Sequence, residues 1–173
     1  MNAAQQGLVQ TTFATLAVMP EVAGALFYER LFATNPSFRP LFKNDMRIQG
    51  VKLMAMLAMV VYNLPEPRQV SPAIRDLAVR HREYGVKPAY YDAMRDSLLW
   101  TLEQALAEDL TPDVREAWSV CYDELAGEMK AACGSDYALP LVTTIPRLAL
   151  NETSSGAKRD DLPAPSLLII QSI

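Results

Sequence analysis

The sequence predicts an all-α fold, and three observations carry that reading. Apolar residues recur with the 3.6-residue period of a helix through most of residues 3–132. Prolines and an Asn-Pro step break that pattern at intervals of about one helix length. No strand-like alternation rises above it before residue 133, and no internal repeat is visible. Six or seven helices joined by short loops account for the body of the chain.

Residues 3–18 place Leu8, Val9, Phe13, Leu16 and Ala17 at helical spacing, and Pro20 follows. A second helix covers about 21–33. There Val22, Ala25, Leu26, Tyr28, Glu29 and Phe32 wrap much of the surface, which predicts strong burial, and Asn35-Pro36 ends the helix. The aromatic turn SFRPLF then offers Phe38, Leu41 and Phe42 to a core. A third helix runs from about 46 to 63, ahead of Pro65. Its residues Gln49, Leu53, Met56 and Val60 form a stripe at offsets 0, 4, 7 and 11. Four methionines lie in it, and thioethers adapt to irregular shapes, so packing alone explains them.

Residues 71–100 hold the only histidine of the chain. Before Gly85, residues Ile74, Leu77, Ala78, His81 and Tyr84 fall at offsets 0, 3, 4, 7 and 10, one stripe of a helix. Arg75, Asp76, Arg80, Arg82 and Glu83 occupy the other sides. Gly85 supplies a helix stop, and Pro88 suits the first turn of the next helix. An imidazole on an apolar face needs a partner for its ring nitrogens. A core hydrogen bond and a metal both satisfy that need, and this helix alone leaves the choice open. Residues 87–107 follow, with Tyr91, Met94, Leu98, Leu99 and Leu102 on one side. Thr111-Pro112-Asp113 starts the last long helix, whose inner face is Val114, Ala117, Trp118, Cys121, Tyr122 and Leu125.

Composition narrows the function classes. The 173 residues are enough for one well-buried core and too few for two comfortable domains. A net charge of −4 and a pI near 5.0 argue against a nucleic-acid surface or an anionic membrane as partner. No run of 18 apolar residues exists, and MNAAQQGLVQ lacks the features of a secretory signal. Cys121 and Cys133 lie twelve apart on one helix, about 18 Å of rise, so they cannot bridge within it. Unpaired thiols and no signal predict a cytoplasmic protein. The character changes at Gly134. Residues 134–173 read as an irregular, partly disordered appendage to a domain spanning 1–133. Its apolar patch, residues 167–170, could dock on the body or on a second subunit, or be a plain extension. Oligomeric state is not legible.

Four segments together resemble the globin family, of the single-domain bacterial type similar to the haem domain of flavohaemoglobins. They are FYERLFATNPSFRPLF (27–42), MRIQGVKLMAMLAMVV (46–61), LAVRHREYGVKPAYYDAM (77–94), and LLWTLEQAL with TPDVREAWSVCYDELA. The match covers roughly residues 3–132, and order and spacing agree across all four segments. The resemblance implies haem b, with His81 as the proximal ligand through its Nε2 nitrogen. Across the haem it places Tyr28, Gln49 and Leu53 beside a site for O2, NO or CO. Tyr28 offers a phenolic proton and Gln49 an amide proton to a ligand that gathers negative charge, and Leu53 gives an apolar wall. Phe42 resembles the aromatic that wedges against the haem plane. Met56, Leu77, Val86, Met94 and Leu98 are expected as walls. Arg80 and Lys87 are placed to meet the haem propionates, and Lys52 would reach the iron only as a desolvated, neutral amine.

Tyr91 matches a proximal tyrosine that in flavohaemoglobins belongs to a hydrogen-bonded group with the histidine and a glutamate. Counted from Trp118 and Tyr122, the glutamate's position falls at Cys133, and Glu128 is more than a turn away. Without that carboxylate the electron push onto the iron is weakened. Nothing in the chain matches the family's flavin and nicotinamide domains, so electrons would come from an external reductase. Three functions follow: reversible binding of O2 and other diatomics, NO dioxygenation to nitrate, or a gas sensor whose tail transmits the haem state.

Overall fold

The computed structural model describes residues 1–134, so residues 135–173, with the patch at 167–170, lie outside the described structure. Among the described residues every regular element is helical. The order is α1 (Ala3–Ala17), α2 (Pro20–Thr34), a 3-10 turn (Pro36–Leu41) and α3 (Met46–Tyr62). A second 3-10 turn (Pro67–Gln69) precedes α4 (Ser71–Glu83) and α5 (Tyr90–Leu106). A third (Ala107–Asp109) precedes α6 (Pro112–Gly134). Local chemistry sets the boundaries. Asn2 and Gln5 close a capping box on α1, with the Gln5 amide donating to Asn2 at 2.9 Å and the Asn2 amide to Gln5 at 3.0 Å. Pro20 sits in the first turn of α2, and Asp45 accepts the Arg47 amide at the head of α3. Thr111 caps α6 through the Val114 amide at 3.3 Å.

The core is one cluster to which all six α-helices contribute. Helix α1 lies along α6, where the Trp118 indole packs on Phe13 and donates to the Thr12 hydroxyl at 2.9 Å. Helix α4 also packs on α6, and α2 lies against α3 and α5. The α2–α3 crossing depends on two glycines. A Cβ placed on Gly24 would stand 2.5 Å from the Gly50 Cα, so the two backbones touch with no room for a side chain. That contact rotates α2 relative to the predicted helix. Ala23, Gly24, Phe27, Tyr28 and Leu31 are buried, whereas Val22, Ala25 and Glu29, assigned inward from periodicity, face solvent.

Helix α4 ends in a Schellman motif. Gly85 takes φ +85°, its amide donates to the Arg82 carbonyl at 2.9 Å, and the Val86 amide donates to the His81 carbonyl at 2.9 Å. The helix therefore stops one residue before Tyr84, which caps it and is 53% exposed, so Tyr84 leaves the apolar stripe to which spacing assigned it. Pro88 falls in the turn before α5 and not in its first turn, because α5 begins at Tyr90.

Gly24→Ala should lower stability by about 2–3 kcal/mol, since the new methyl meets backbone that cannot swing aside. Urea unfolding measures this, and Gly7→Ala, where no atom lies within 4 Å, is the matched control expected to unfold no more easily than the parent.

Candidate functional site

Helix α4 crosses the molecule opposite α2 and α3, and a cavity of about 620 Å³ lies between them. Tyr28 of α2, Phe42 after the aromatic turn, and Gln49, Leu53 and Met56 of α3 line one side. Leu77 and His81 of α4, Val86 after the Schellman turn, and Met94 of α5 line the other. The lip is made by Pro40, Leu41, Lys43, Asn44, Glu83 and Tyr84. A smaller void of about 50 Å³ shares Leu53, Met56, Leu77, His81 and Met94 and extends inward to Tyr91, Leu98 and Met129. Nearly every residue singled out by sequence as a wall thus borders one of two adjoining spaces. Arg80 and Lys52, both half-buried, and Lys87, exposed, border neither.

His81 is fixed by its own helix. Its Nδ1 lies 3.0 Å from the Leu77 carbonyl. A carbonyl only accepts, so Nδ1 carries the proton, and Nε2 keeps an unprotonated lone pair on the cavity side. Burial pushes the imidazole pKa below its ordinary 6.5, the Leu77 hydrogen bond works against that shift, and Arg80 adds to it. Neutral imidazole is the form that ligates a metal.

Across the cavity, Tyr28 is locked by three aromatic neighbours, Phe27, Phe32 and Phe42, with ring centroids at 5.1, 5.8 and 5.2 Å. Burial raises its phenol far above the usual value, and a hydrogen bond with the Gln49 side chain opposes part of that rise. The phenol is a proton donor at any physiological pH. The Gln49 Oε1 is buried and has no hydrogen-bond partner. Burying such an acceptor is costly unless a donor reaches it.

Behind His81, the Cys133 thiol donates to the Ala78 carbonyl at 3.2 Å, one turn before the histidine. The Tyr91 phenol is pushed up to about 12, first by burial and then by Cys133. Tyr122 holds this part of α5 to α6 by donating to the Tyr91 carbonyl at 2.8 Å. Glu128 points elsewhere and faces Arg75 at 4.0 Å. Sequence reasoning missed the lip residues Pro40, Lys43, Asn44 and Glu83, because exposed positions carry no periodic signal, and the inner residues Phe27 and Met129, which it left off the apolar faces of their helices.

The single histidine offers a clean check, because it gives one titrating imidazole by NMR. It should titrate below 6.5. Since the unfolded chain then binds more protons than the folded one, stability should fall as pH drops through 6.5 towards the folded value. An imidazole titrating at or above 6.5 contradicts the packing described.

Comparisons with known proteins agree with this architecture. The globin family model matches residues 25–129. A flavohemoprotein of Rhizobium meliloti is 30% identical over 104 residues, covering 58% of this chain and 26% of that protein. One from Bacillus subtilis is 24% identical over 122 residues, covering 69% and 31%. The chain therefore spans a quarter to a third of the length of these relatives. Among solved structures, an engineered carbene transferase from Rhodothermus marinus, made on a protein assigned as a nitric oxide dioxygenase, superposes with a TM-score of 0.73. It is 25% identical and covers 80% of this chain and 96% of its own. With a helical body in the expected order and a family match over more than half its length, this chain belongs to the globin family.

Proposed function

We propose that residues 1–133 hold one haem b and bind O2, NO and CO reversibly, with residues 134–173 as an appendage. The observation that carries this reading is the His81 Nδ1 contact with Leu77, which leaves Nε2 as a lone pair facing a cavity. The residues fit a haem. A cavity of about 620 Å³ lies within the roughly 300–1,000 Å³ of sites that enclose a cofactor. Among the described residues no group of three or more His, Cys, Asp or Glu could hold a bare metal ion, so a metal at His81 needs its other ligands brought in. A tetrapyrrole brings four. Bound there, haem would supply an iron that takes diatomic gases, and the protein's side chains would decide how they are held.

Each side chain has a definite task in that arrangement. His81 ligates through Nε2, and the Leu77 carbonyl fixes the ring orientation. Phe42 braces one side of the ring system. Leu53, Met56, Leu77, Val86, Met94 and Leu98 exclude water, which strengthens any hydrogen bond inside. Tyr28 donates to a polar diatomic ligand, and the Gln49 amide N–H, by donating to the Tyr28 phenol oxygen, holds that phenol in place. Arg80 and Lys87, which border neither space, would meet the propionates only from beside the proximal corner, and Lys52 is outside the cavity wall and is not needed as a ligand. Free thiols and an acidic pI suit a cytoplasmic protein.

A second reading is NO dioxygenation, in which NO and O2 become nitrate with electrons from an external reductase. The paired donors Tyr28 and Gln49 and the likeness to the Rhodothermus marinus protein favour it. A neutral thiol in place of a proximal carboxylate weighs against fast turnover. The sensor reading rests on residues outside the described structure.

His81→Ala should abolish stable uptake of one haem per chain, read as loss of the Soret band; an unchanged spectrum would sink the assignment. Tyr28→Phe should speed O2 dissociation about 10- to 100-fold, the worth of a hydrogen bond of roughly 1.5–3 kcal/mol to a charged acceptor. Stoichiometric nitrate on mixing the oxygenated protein with NO shows competence, and sustained nitrate production with a reductase separates an enzyme from a carrier.

A further inference from the structure

We propose that Lys43, with the Asn44 amide, anchors the haem propionates at the mouth of the cavity, and that Glu83 at the same mouth repels them. The inference rests on the haem reading above and places the charged edge of the ring system within it. The interior leaves a carboxylate nowhere else to go. The adjoining inner void is walled by Phe27, Leu57, Leu98, Leu125 and Met129 and has no charged side chain among its lining residues. An ionised carboxylate buried there without a partner carries a heavy desolvation cost, so the propionates face the lip. Among the described residues that line the main cavity, only Lys43 and Glu83 carry a full charge, since His81 is neutral. Arg80 and Lys87 border neither space.

Both charges stand on backbone that is held in place. Lys43 and Asn44 bridge two fixed points. On one side the Arg39 guanidinium donates to the Phe42 carbonyl at 2.7 Å, and on the other Asp45 caps α3 by accepting the Arg47 amide at 2.8 Å. The neighbouring charges are spent on each other, because the Arg47 guanidinium faces the Asp45 carboxylate at 3.5 Å. Lys43 takes part in no ion pair among the described residues, so its ammonium keeps its donors for a ligand. Glu83 is the last residue of α4, fixed by the Schellman turn that follows it. The two segments meet where Leu41 lies 3.9 Å from the position a Cβ would take on Gly85, so cation and anion border one opening. Helix ends add to the contrast. Residues 43 and 44 lead into the N-terminus of α3, which favours a carboxylate, and Glu83 stands at the C-terminus of α4, which disfavours one. Attraction on one side and repulsion on the other commit the propionates to Lys43 and Asn44. A cation opposed by an anion also holds them more loosely than the cation alone would.

The test compares full-length protein loaded with haem and with haem dimethyl ester, whose propionates are blocked as neutral esters. Transfer of either group to excess apomyoglobin, followed by absorbance, gives its rate of loss. With ordinary haem, Lys43→Gln should speed loss about two- to fivefold and Glu83→Gln should slow it about twofold, the range of an exposed ion pair. With the dimethyl ester neither substitution should change the rate. Lys43→Arg should keep the parent's rate with both groups. Arg68→Gln, exposed in the turn before the far end of α4, should change neither. Equal acceleration of both groups by Lys43→Gln overturns the proposal, because the residue would then act by packing. So does faster loss of ordinary haem from Arg80→Gln or Lys87→Gln while Lys43→Gln keeps the parent's rate, which would put the carboxylates at the proximal corner. If Lys43→Gln loads no haem, slower loss from Glu83→Gln supports the proposal and unaltered or faster loss overturns it. A parent chain that takes up neither group overturns the reading beneath; a parent that holds haem, with every variant like it, overturns the anchoring alone.

Discussion

The hydrogen bond between His81 Nδ1 and the Leu77 carbonyl is the constraint on which the site depends. It selects the tautomer, orients the ring, and leaves Nε2 to the cavity. The backbone reinforces it from the other side. The Schellman turn takes its longest bond from the Val86 amide to the carbonyl of His81 itself. The histidine and Val86, both cavity walls, are thus tied into one rigid corner by a glycine at φ +85°. Change that corner and the nitrogen moves relative to everything across from it.

A second constraint positions the facing wall. Because Gly24 and Gly50 let the two backbones touch, α2 and α3 cross closely enough for their side chains to share a pocket. Tyr28 lies one turn beyond Gly24, and Gln49 is next to Gly50. The crossing point therefore fixes the pair of polar side chains that line the cavity. The aromatic cluster of Phe27, Phe32 and Phe42 then removes the rotational freedom of Tyr28. Packing and polarity are coupled here: the same burial that keeps Tyr28 protonated makes the unpartnered Gln49 Oε1 costly.

Much of this was legible in the sequence, and the exceptions have physical causes. Helical periodicity and proline punctuation located the helices to within a few residues, and the stripe holding His81 pointed inward as read. Periodicity failed on α2, where Val22, Ala25 and Glu29 are exposed, because a glycine contact rather than apolar content decides which face turns inward. It failed at Tyr84 because the α-helix ends before that residue and the apolar rhythm does not. The partner of His81 could not be settled from α4 alone. Distant segments arranged in family order supplied the metal reading, and the structure adds the Leu77 bond, which spacing could only permit.

The fold, then, is that of a globin, and the central claim is that His81 Nε2 is an axial ligand. Imidazole rescue tests it most directly. His81→Gly removes the side chain and opens a space of its shape on α4. Supplying haem and imidazole together to His81→Gly should restore haem uptake and the parent's ferrous and carbon monoxide absorption bands, saturating at one imidazole per haem. A His81→Gly protein whose spectrum already equals the parent's without imidazole, and does not change when it is added, would contradict the account.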